Sequence, residues 1–333
     1  MTWADRVLLI FIIVLLAGAG CIMPRGNDAA VPASSPTMTS FVIVETETVT
    51  PSPVPPGPAT ATPVITAEPT IPPQDVLETG GKKKPFAYAI RSRSQFLYYT
   101  TYDGVRDYLR DRYPDRPTDF YNLSTLEVYY RQYVSDPVQR SYLDAFVENL
   151  NDRSTLRPER ARIAVSLIQH IPYAETTRTL YPYEVLYYDM GKCEDKSILM
   201  AYVLSEMGYG TALLLYYPEH HMALGLKCPK QYSIDGSGYC FIETTTPSIM
   251  TFDNGTYAGI GKLRSRPEII RISDGDSFDQ ISEEYTDAQA FDAVLNSAEW
   301  DEKGMYLDDF NYGQLGYLRE KYGLLELDPL SVS

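Results

Sequence analysis

The sequence predicts an α+β fold in which helices flank a small antiparallel β-sheet. Three segments between residues 103 and 171 space apolar residues three or four apart, which is the period of an amphipathic helix. Between residues 211 and 246 the pattern changes to short runs rich in β-forming residues, separated by turn residues. Two further segments with helical spacing follow near the C-terminus. The middle of the chain is therefore expected to form the sheet, and the segments before and after it in the sequence are expected to form helices.

The first three predicted helices each start at an Asp, Pro or Arg residue, and a fourth starts near Cys193. Its apolar spacing continues to Met207, and Gly208 then supplies a stop signal. The five other helical segments are DGVRDYLRDRY (103–113), DPVQRSYLDAFVENLN (136–151), RPERARIAVSLIQHI (157–171), DAQAFDAVLNSAEW (287–300) and NYGQLGYLREKYG (311–323). Cys193 is thus predicted at or near a helix N-terminus.

The predicted strands are TALLLYY (211–217), HMALGLKC (221–228) and YCFIETTT (239–246), with a further strand at PEIIRIS (267–273). The pair Asp235-Gly236 predicts a hairpin turn between the second and third strands. If Ile234 is the centre of that turn, Glu243 lies opposite Gly225.

Composition predicts one globular domain with appendages. The chain has 333 residues, of which 44% are hydrophobic and 22% charged, enough to bury a substantial core. Its formal net charge of −15 argues against nucleic acid as a partner, because phosphate backbones are bound by clustered Lys and Arg.

The first 21 residues have the layout of a secretory signal. Arg6 precedes an apolar run from Val7 to Leu16, and small residues then lead to Cys21. These small residues resemble the lipobox of prokaryotic lipoproteins, which implies that Cys21 is lipidated and becomes the new N-terminus. The alternative is an uncleaved membrane anchor from Val7 to Met23. In either case the protein is expected at the outer face of the cell membrane, with the rest of the chain outside the cytoplasm.

Residues 22–81 are predicted to be a disordered stalk. Eleven of the 24 prolines lie between Pro32 and Pro73, together with many Thr and Ser residues. Such a segment forms no packed core and favours extended conformations. The globular domain is predicted over residues 82–333, with its core at about 157–275.

Cysteine count indicates one bridge and one remaining thiol. Lipidation of Cys21 leaves Cys193, Cys228 and Cys240, an odd number outside the cell. Cys228 and Cys240 lie at nearly equal distances from Ile234, so a disulfide across the strand pair is expected. Cys193 is then the thiol left for chemistry. The alternative is that all three are reduced and buried as small hydrophobic residues.

The predicted position of Cys193 suits a thiolate, because a helix N-terminus favours an anion. The charges of Glu194 and Asp195 oppose that thiolate, so a cation is expected nearby, either Lys196 or a histidine.

Among the three histidines, His170, His220 and His221, the last two start the second predicted strand. Adjacent strand residues point to opposite faces, and His221 is expected inward as general base, with His220 toward solvent or the rim. Glu243 is the only carboxylate in its apolar, Thr-rich strand, and a buried acid without a partner is costly. It is the candidate to orient the imidazole.

Two less specific interpretations of these residues stay open. A lone secreted Cys is commonly inert, and a lone strand His is commonly structural. A zinc site formed by Cys193, His220, His221 and Glu243 is conceivable, but adjacent strand histidines diverge and the sequence has no CxxC or HxxxH spacing. Neither a metal nor another cofactor is therefore expected.

The segment GKCEDKSILMAYVLSEMGYGTALLLYYPEHHMALGLKC, followed by YCFIETTTP, resembles the transglutaminase-like superfamily. Its members have a papain-like core, a Gly-x-Cys motif that opens a helix, a His that heads a strand and an acid in the next strand. YPYEVLYYDMGKCEDKS also resembles the approach to the cysteine in prokaryotic members. The resemblance implies that Cys193 is the nucleophile, His221 the general base and acid, and Glu243 the orienting acid, where Asp is commoner. It also implies that the Cys helix packs on the antiparallel sheet.

The implied chemistry is attack by Cys193 on an amide or ester carbonyl, giving a thioester acyl-enzyme. Hydrolysis is expected rather than cross-linking, because amine transfer needs an acceptor channel that excludes water. For a stalked surface protein, the substrate is expected to be a protein or a cell-envelope peptide.

Three other functions stay open at this point. One is a non-catalytic surface interaction module that keeps the fold, another is a true protein-glutamine transglutaminase, and a third is a binding protein for small acyl or peptide ligands.

Overall fold

The computed structural model describes residues 71–257, 260–301 and 304–324. The predicted signal peptide (1–21), the lipidation site Cys21 and residues 22–70 of the predicted stalk (22–81) lie outside the described residues.

The described residues combine helices with antiparallel sheets, so the α+β prediction is confirmed. The helices are α1 (Gln74–Leu77), α2 (Asp103–Arg110), α3 (Leu123–Ser135), α4 (Pro137–Asn151), α5 (Arg157–His170), α6 (Pro182–Tyr188), α7 (Cys193–Glu206), α8 (Ser282–Asn296) and α9 (Asp309–Tyr322). The strands are β1 (Lys82–Ile90), β2 (Arg93–Thr101), β3 (Gly210–Tyr216), β4 (His221–Lys227), β5 (Tyr239–Ile242), β6 (Thr256–Tyr257), β7 (Gly261–Lys262), β8 (Glu268–Asp274), β9 (Glu299–Asp301) and β10 (Gly304–Tyr306).

The central sheet has the strand order β5-β4-β3-β8, and every neighbouring pair is antiparallel. Its strands β3, β4 and β5 are the three that the runs of β-forming residues and the turn residues between them predict, and β8 corresponds to the predicted fourth. The three smaller sheets pair β1 with β2, β6 with β7, and β9 with β10.

Helix α7 packs against β3 and β4 on one side and against α5 and α6 on others. Near its C-terminal end, Ser205 Oγ lies 2.8 Å from Thr211 Oγ1 of β3. Seven consecutive residues, 198–204, are each at most 1% exposed, so apolar residues cover the whole circumference of the helix. A helix of this kind belongs inside a core, and its N-terminus is therefore held by packing on several sides.

The β1–β2 hairpin has no counterpart among the predicted elements. Its turn residues Arg91 and Ser92 both have positive φ, of 47° and 63°. Two-residue hairpin turns of this kind are usually marked by Asn-Gly or Asp-Gly. The sequence lacks that mark here, which explains why the pattern does not predict the hairpin.

The register of β4 with β5 differs from the predicted one by two residues. Gly225 pairs with Phe241 rather than with Glu243. Asp235 and Gly236 do have positive φ, as expected of turn residues, but they lie in a longer connection with 3₁₀ turns at Lys230–Tyr232 and Ile234–Gly236. The shifted register moves Glu243 toward the start of β4, where His221 lies.

The folded body extends further toward the N-terminus than the predicted boundary at residue 82. Leu77 of α1 is 6% exposed, and Asp103 N donates to Thr79 O at 2.8 Å. Gly104 of α2 allows this contact, because a Cβ there would lie 2.1 Å from Val76 O. Because α1 and Thr79 contact α2, these last residues of the predicted stalk belong to the folded domain.

Among the described residues, no helix is both long enough and apolar enough to cross a lipid bilayer.

Cys228 and Cys240 form a disulfide with a Cα–Cα distance of 5.8 Å, as the sequence predicts. Cys240 pairs with Leu226 in the ladder, and Cys228 N donates to Gly238 O at 2.9 Å just beyond it. The bridge therefore closes the turn end of the β4–β5 pair.

We predict that replacing both Cys228 and Cys240 by Ser lowers the free energy of unfolding by about 2–3 kcal/mol. The sequence separation of 12 residues sets a short loop, and opening it returns conformational entropy to the unfolded chain. Urea denaturation of the double variant and of the wild type, without reductant, measures the difference. Equal midpoints would show that the bridge adds nothing to stability.

Candidate functional site

The Cys193 side of the site is the first turn of α7. Lys192 precedes the helix with extended backbone, and its N–H donates to Asp195 Oδ2 at 3.1 Å, which satisfies a backbone donor at the helix start. Cys193 is the first helical residue and is 1% exposed. The structure thus places Cys193 at a capped helix N-terminus, where the sequence predicts it.

The histidine side of the site is the first residue of β4. His221 is fully buried, whereas His220 is exposed and has a φ of 50°. His220 N donates to Tyr217 O at 3.2 Å, closing the tight turn between β3 and β4. This turn determines which of the two adjacent histidines enters the interior.

Glu243 follows the end of β5 and is fully buried. The last ladder pair joins Leu224 and Ile242, so Glu243 stands next to Ala223, on the same face as His221. Its Oε2 lies 2.9 Å from His221 Nε2. The structure therefore brings together the two residues that the sequence assigns to base and orienting acid.

The other carboxylate oxygen of Glu243 is held by the two residues that follow. Glu243 Oε1 accepts from Thr244 N at 3.0 Å, from Thr245 N at 2.7 Å and from the Thr245 hydroxyl. Burial by itself raises the pKa of Glu243, but the charge of His221 and the hydrogen bonds from His221 and Thr245 outweigh it. The net pKa of Glu243 is lowered.

Three side-chain contacts tie α7 to the strand ends that carry His221 and Glu243. Ser197 Oγ, one turn after Cys193, donates to Met222 O at 3.2 Å and lies 3.0 Å from Thr244 Oγ1. Thr244 Oγ1 in turn lies 3.5 Å from Cys193 O. The start of α7 is therefore anchored to the residues immediately after His221 and Glu243.

Cys193 is disulfide-bonded in the structure, outside the Cys228–Cys240 pair. This corrects the expectation that it is left as a thiol, which rested on lipidation of Cys21, a residue outside the described part of the chain. Thiol chemistry at Cys193 therefore requires its reduced form.

Glu194, the first of the two acids beside Cys193, is held by three side-chain partners. Its carboxylate accepts from the hydroxyls of Tyr130 and Thr179, both at 2.9 Å, and pairs with Lys192 Nζ at 3.2 Å. The ion pair offsets part of the charge that opposes a thiolate.

Asp195, the second acid, is fully buried, and burial together with the neighbouring charge of Glu194 raises its pKa to about 7. It accepts hydrogen bonds from Leu180 N and Thr176 Oγ1, both at 2.8 Å. A carboxyl with this pKa carries only part of a charge at neutral pH. Its opposition to a thiolate is thus smaller than the sequence suggests.

Lys196, one of the predicted cations, donates its three ammonium protons to backbone carbonyls rather than to the Cys193 sulfur. Its ammonium group therefore makes no hydrogen bond to the sulfur.

Sequence reasoning missed the threonines that hold Glu243 and the buried Gln169, whose amide donates to Glu243 O at 2.8 Å. The run of three Thr residues directly after Glu243 is a usable signal, because hydroxyls and backbone N–H groups next to a buried acid can bond it. Gln169 carries no local signal, since it lies 74 residues away in the sequence.

His220 and His221 diverge, as expected of adjacent residues at a strand start. Within the part of the chain that the structure describes, no group of three or more His, Cys, Asp or Glu residues is arranged to hold a metal ion.

Comparison of the chain with models of known protein families and with curated proteins found no match in either case.

We predict that Glu243→Gln lowers the free energy of unfolding by about 3 kcal/mol at neutral pH, because it breaks a buried pair. The pKa of Glu243 is lower in the folded protein than its ordinary value of 4.5. Its contribution is therefore fully present above pH 4.5 and is lost as the pH falls through the lower, folded-state pKa. Chemical denaturation between pH 3 and pH 7 should show the difference from wild type shrinking toward acid.

The matched control is Glu127→Gln, because Glu127 is a partly exposed acid paired with Arg131 and its loss should cost little at any pH. A difference between wild type and Glu243→Gln that stays constant down to pH 3 would contradict an ionised, buried Glu243.

Proposed function

We propose that this protein is an extracytoplasmic, membrane-anchored cysteine enzyme that acts on amide bonds of proteins or cell-envelope peptides. The observation that carries the proposal is the fully buried His221–Glu243 pair, with Nε2 and Oε2 2.9 Å apart, at the strand ends to which the Cys193 helix is anchored. A cysteine at a helix start, a histidine and an orienting acid are the components of an activated thiol nucleophile. The transglutaminase-like motifs and a papain-like core belong to the same proposal.

In this proposal His221 uses its two nitrogens for different tasks. Nε2 is engaged with Glu243, so Nδ1 is the nitrogen that takes the proton of the reduced Cys193 thiol. The lowered pKa of Glu243 keeps its carboxylate charged, which stabilises the imidazolium formed in that transfer.

The Cys193 thiolate then attacks the carbonyl carbon, and the C–N bond of the amide breaks. The imidazolium returns its proton to the leaving amine, and a thioester remains on Cys193. Water gives a proton to His221 as it attacks this thioester, and the products are a carboxylic acid and the restored thiol. The backbone N–H of Cys193 is the natural first donor to the oxyanion, because the first N–H groups of a helix have no intrahelical partner.

Hydrolysis is favoured over cross-linking in this proposal. Water is always present, whereas amine transfer needs an acceptor channel that excludes water. No cofactor takes part in the proposed steps. The N-terminal lipid or anchor would hold the domain at the outer face of the membrane, near protein and envelope peptides.

A second candidate is a non-catalytic surface module that keeps the same fold. It is favoured by the 1% exposure of Cys193 and by its disulfide, because a nucleophile must be reduced and reachable. The reactivity of the reduced thiol separates the two candidates.

We predict that reduced Cys193 is alkylated by iodoacetamide with a pH midpoint well below about 8.5, the ordinary thiol value. The full chain is reduced, labelled between pH 5 and pH 10, and digested so that mass spectrometry reports each cysteine separately. His221→Ala should raise the midpoint of Cys193, because the imidazolium partner is lost, and Glu243→Ala should raise it less.

Cys228 and Cys240 in the same sample serve as internal comparators, because they lie at the opposite end of the β4–β5 pair from His221. If Cys193 titrates as they do, or if His221→Ala changes nothing, the surface module takes the place of the enzyme. Incorporation of a labelled primary amine into a glutamine donor would instead indicate a transglutaminase.

A further inference from the structure

Lys196 is a fully buried lysine three residues after Cys193 in α7. Its Nζ donates to Gln169 O at 3.1 Å, to Ile171 O at 2.5 Å and to Thr245 O at 3.1 Å. An ammonium group has three protons, and all three are used. The side chain therefore joins the start of α7 to the end of α5 and to the segment that follows β5.

Gln169 reinforces the same connection from α5. It is 3% exposed, and its side-chain amide donates to Glu243 O at 2.8 Å and to Ser248 O at 3.2 Å. Gln169 therefore holds both ends of the short segment 243–248, and Lys196 holds Thr245 within it. The ladder between β4 and β5 ends at Ile242, just before this segment.

A continuous series of hydrogen bonds runs from Lys196 to the imidazole. Lys196 Nζ bonds Thr245 O, and the N–H and hydroxyl of the same Thr245 bond Glu243 Oε1. Glu243 Oε2 then bonds His221 Nε2 at 2.9 Å. A displacement of Thr245 would move the carboxylate that orients His221.

We propose that Lys196, supported by Gln169, is a positioning residue that sets the geometry between Cys193 and the His221–Glu243 pair. This inference rests on the proposed function, because it assigns a role within the same site. Lys196 lies on the helix that begins at Cys193. Its bond to Thr245 O therefore fixes the position of the nucleophile relative to the segment that holds the orienting acid.

The protonated form of Lys196 has its acceptors in place where it is buried. A buried ammonium without acceptors is very costly, and three carbonyl oxygens satisfy it here. Burial lowers its pKa to about 7, while Glu243 and Asp189 oppose that shift. His170, on α5, is the other titratable group that senses the charge, and its pKa is lowered by burial first and by Lys196 as a smaller cause.

The test uses the reduced full chain and two variants that weaken the connection in different ways. Lys196→Met keeps most of the length of the side chain but removes its charge and its three hydrogen bonds. Gln169→Leu keeps Lys196 and removes the amide bonds to Glu243 O and Ser248 O. We expect each variant to slow Cys193 alkylation at pH 7 by about tenfold to a hundredfold, with a raised pH midpoint, because small misplacements of reacting groups have effects of that size.

The matched control is Gln139→Leu. Gln139 is also a fully buried glutamine that bonds backbone groups, accepting from Tyr183 N at 3.3 Å and donating to Tyr133 O. It lies on α4, and neither Tyr133 nor Tyr183 belongs to the Glu243 segment. We expect it to lower stability to urea as Gln169→Leu does, but to leave the Cys193 midpoint at the wild-type value.

The inference fails if the midpoint of Gln169→Leu equals that of wild type, or if Gln139→Leu shifts the midpoint as far. Should Lys196→Met not fold, the comparison of the two glutamine variants still decides. A wild-type thiol whose midpoint does not depend on His221 would overturn the proposed function and this inference together, whereas a His221-dependent thiol unaffected by Gln169→Leu overturns the inference alone.

Discussion

The hydrogen bond between His221 and Glu243 is the interaction on which the arrangement around it depends. A carboxylate without exposure to water needs donors on both oxygens or a paired charge. Glu243 has donors on both oxygens, since His221 bonds one oxygen and the N–H and hydroxyl groups of the following threonines bond the other. The segment after β5 must therefore turn back on its own acid, and this turn brings Thr244 and Thr245 to the start of α7.

The two ends of the β4–β5 pair are held by different interactions. The Cys228–Cys240 disulfide closes the end at the turn, and the His221–Glu243 pair occupies the other end. A slip of one residue in the pairing would move every side chain of β5 to the opposite face of the sheet. By fixing the pairing, the disulfide helps to keep Glu243 on the face of His221.

The start of α7 carries an unusual amount of buried charge for a helix that is otherwise apolar on all sides. Asp195 and Lys196 are fully buried, and Lys192 is 8% exposed. Each has specific polar partners, so the cost of burying it is offset locally. Burial also moves the pKa values of Asp195 and Lys196 toward each other, both to about 7. Each of these two side chains thus carries only part of its formal charge at neutral pH.

The sequence by itself determined the α+β class, the helix opened by Cys193, the strands of the central sheet and the Cys228–Cys240 bridge. These follow from local periodicity, turn residues and cysteine spacing, which act over short stretches of chain. It also singled out His221 and Glu243, because a strand start and a lone acid in an apolar strand are visible locally.

Only the tertiary structure decided the contacts that join distant segments. The register that brings Glu243 beside His221 depends on a connection longer than the Asp-Gly pair implies. The turn of the β1–β2 hairpin is formed by Arg91 and Ser92, which are not the Asn-Gly or Asp-Gly pair usual in such turns. The partners of Lys196 and Gln169 are backbone carbonyls up to 79 residues away, and a carbonyl leaves no mark in a sequence. Because packing, and not residue type, selects which carbonyl meets a buried donor, no pattern in the chain could have predicted these contacts.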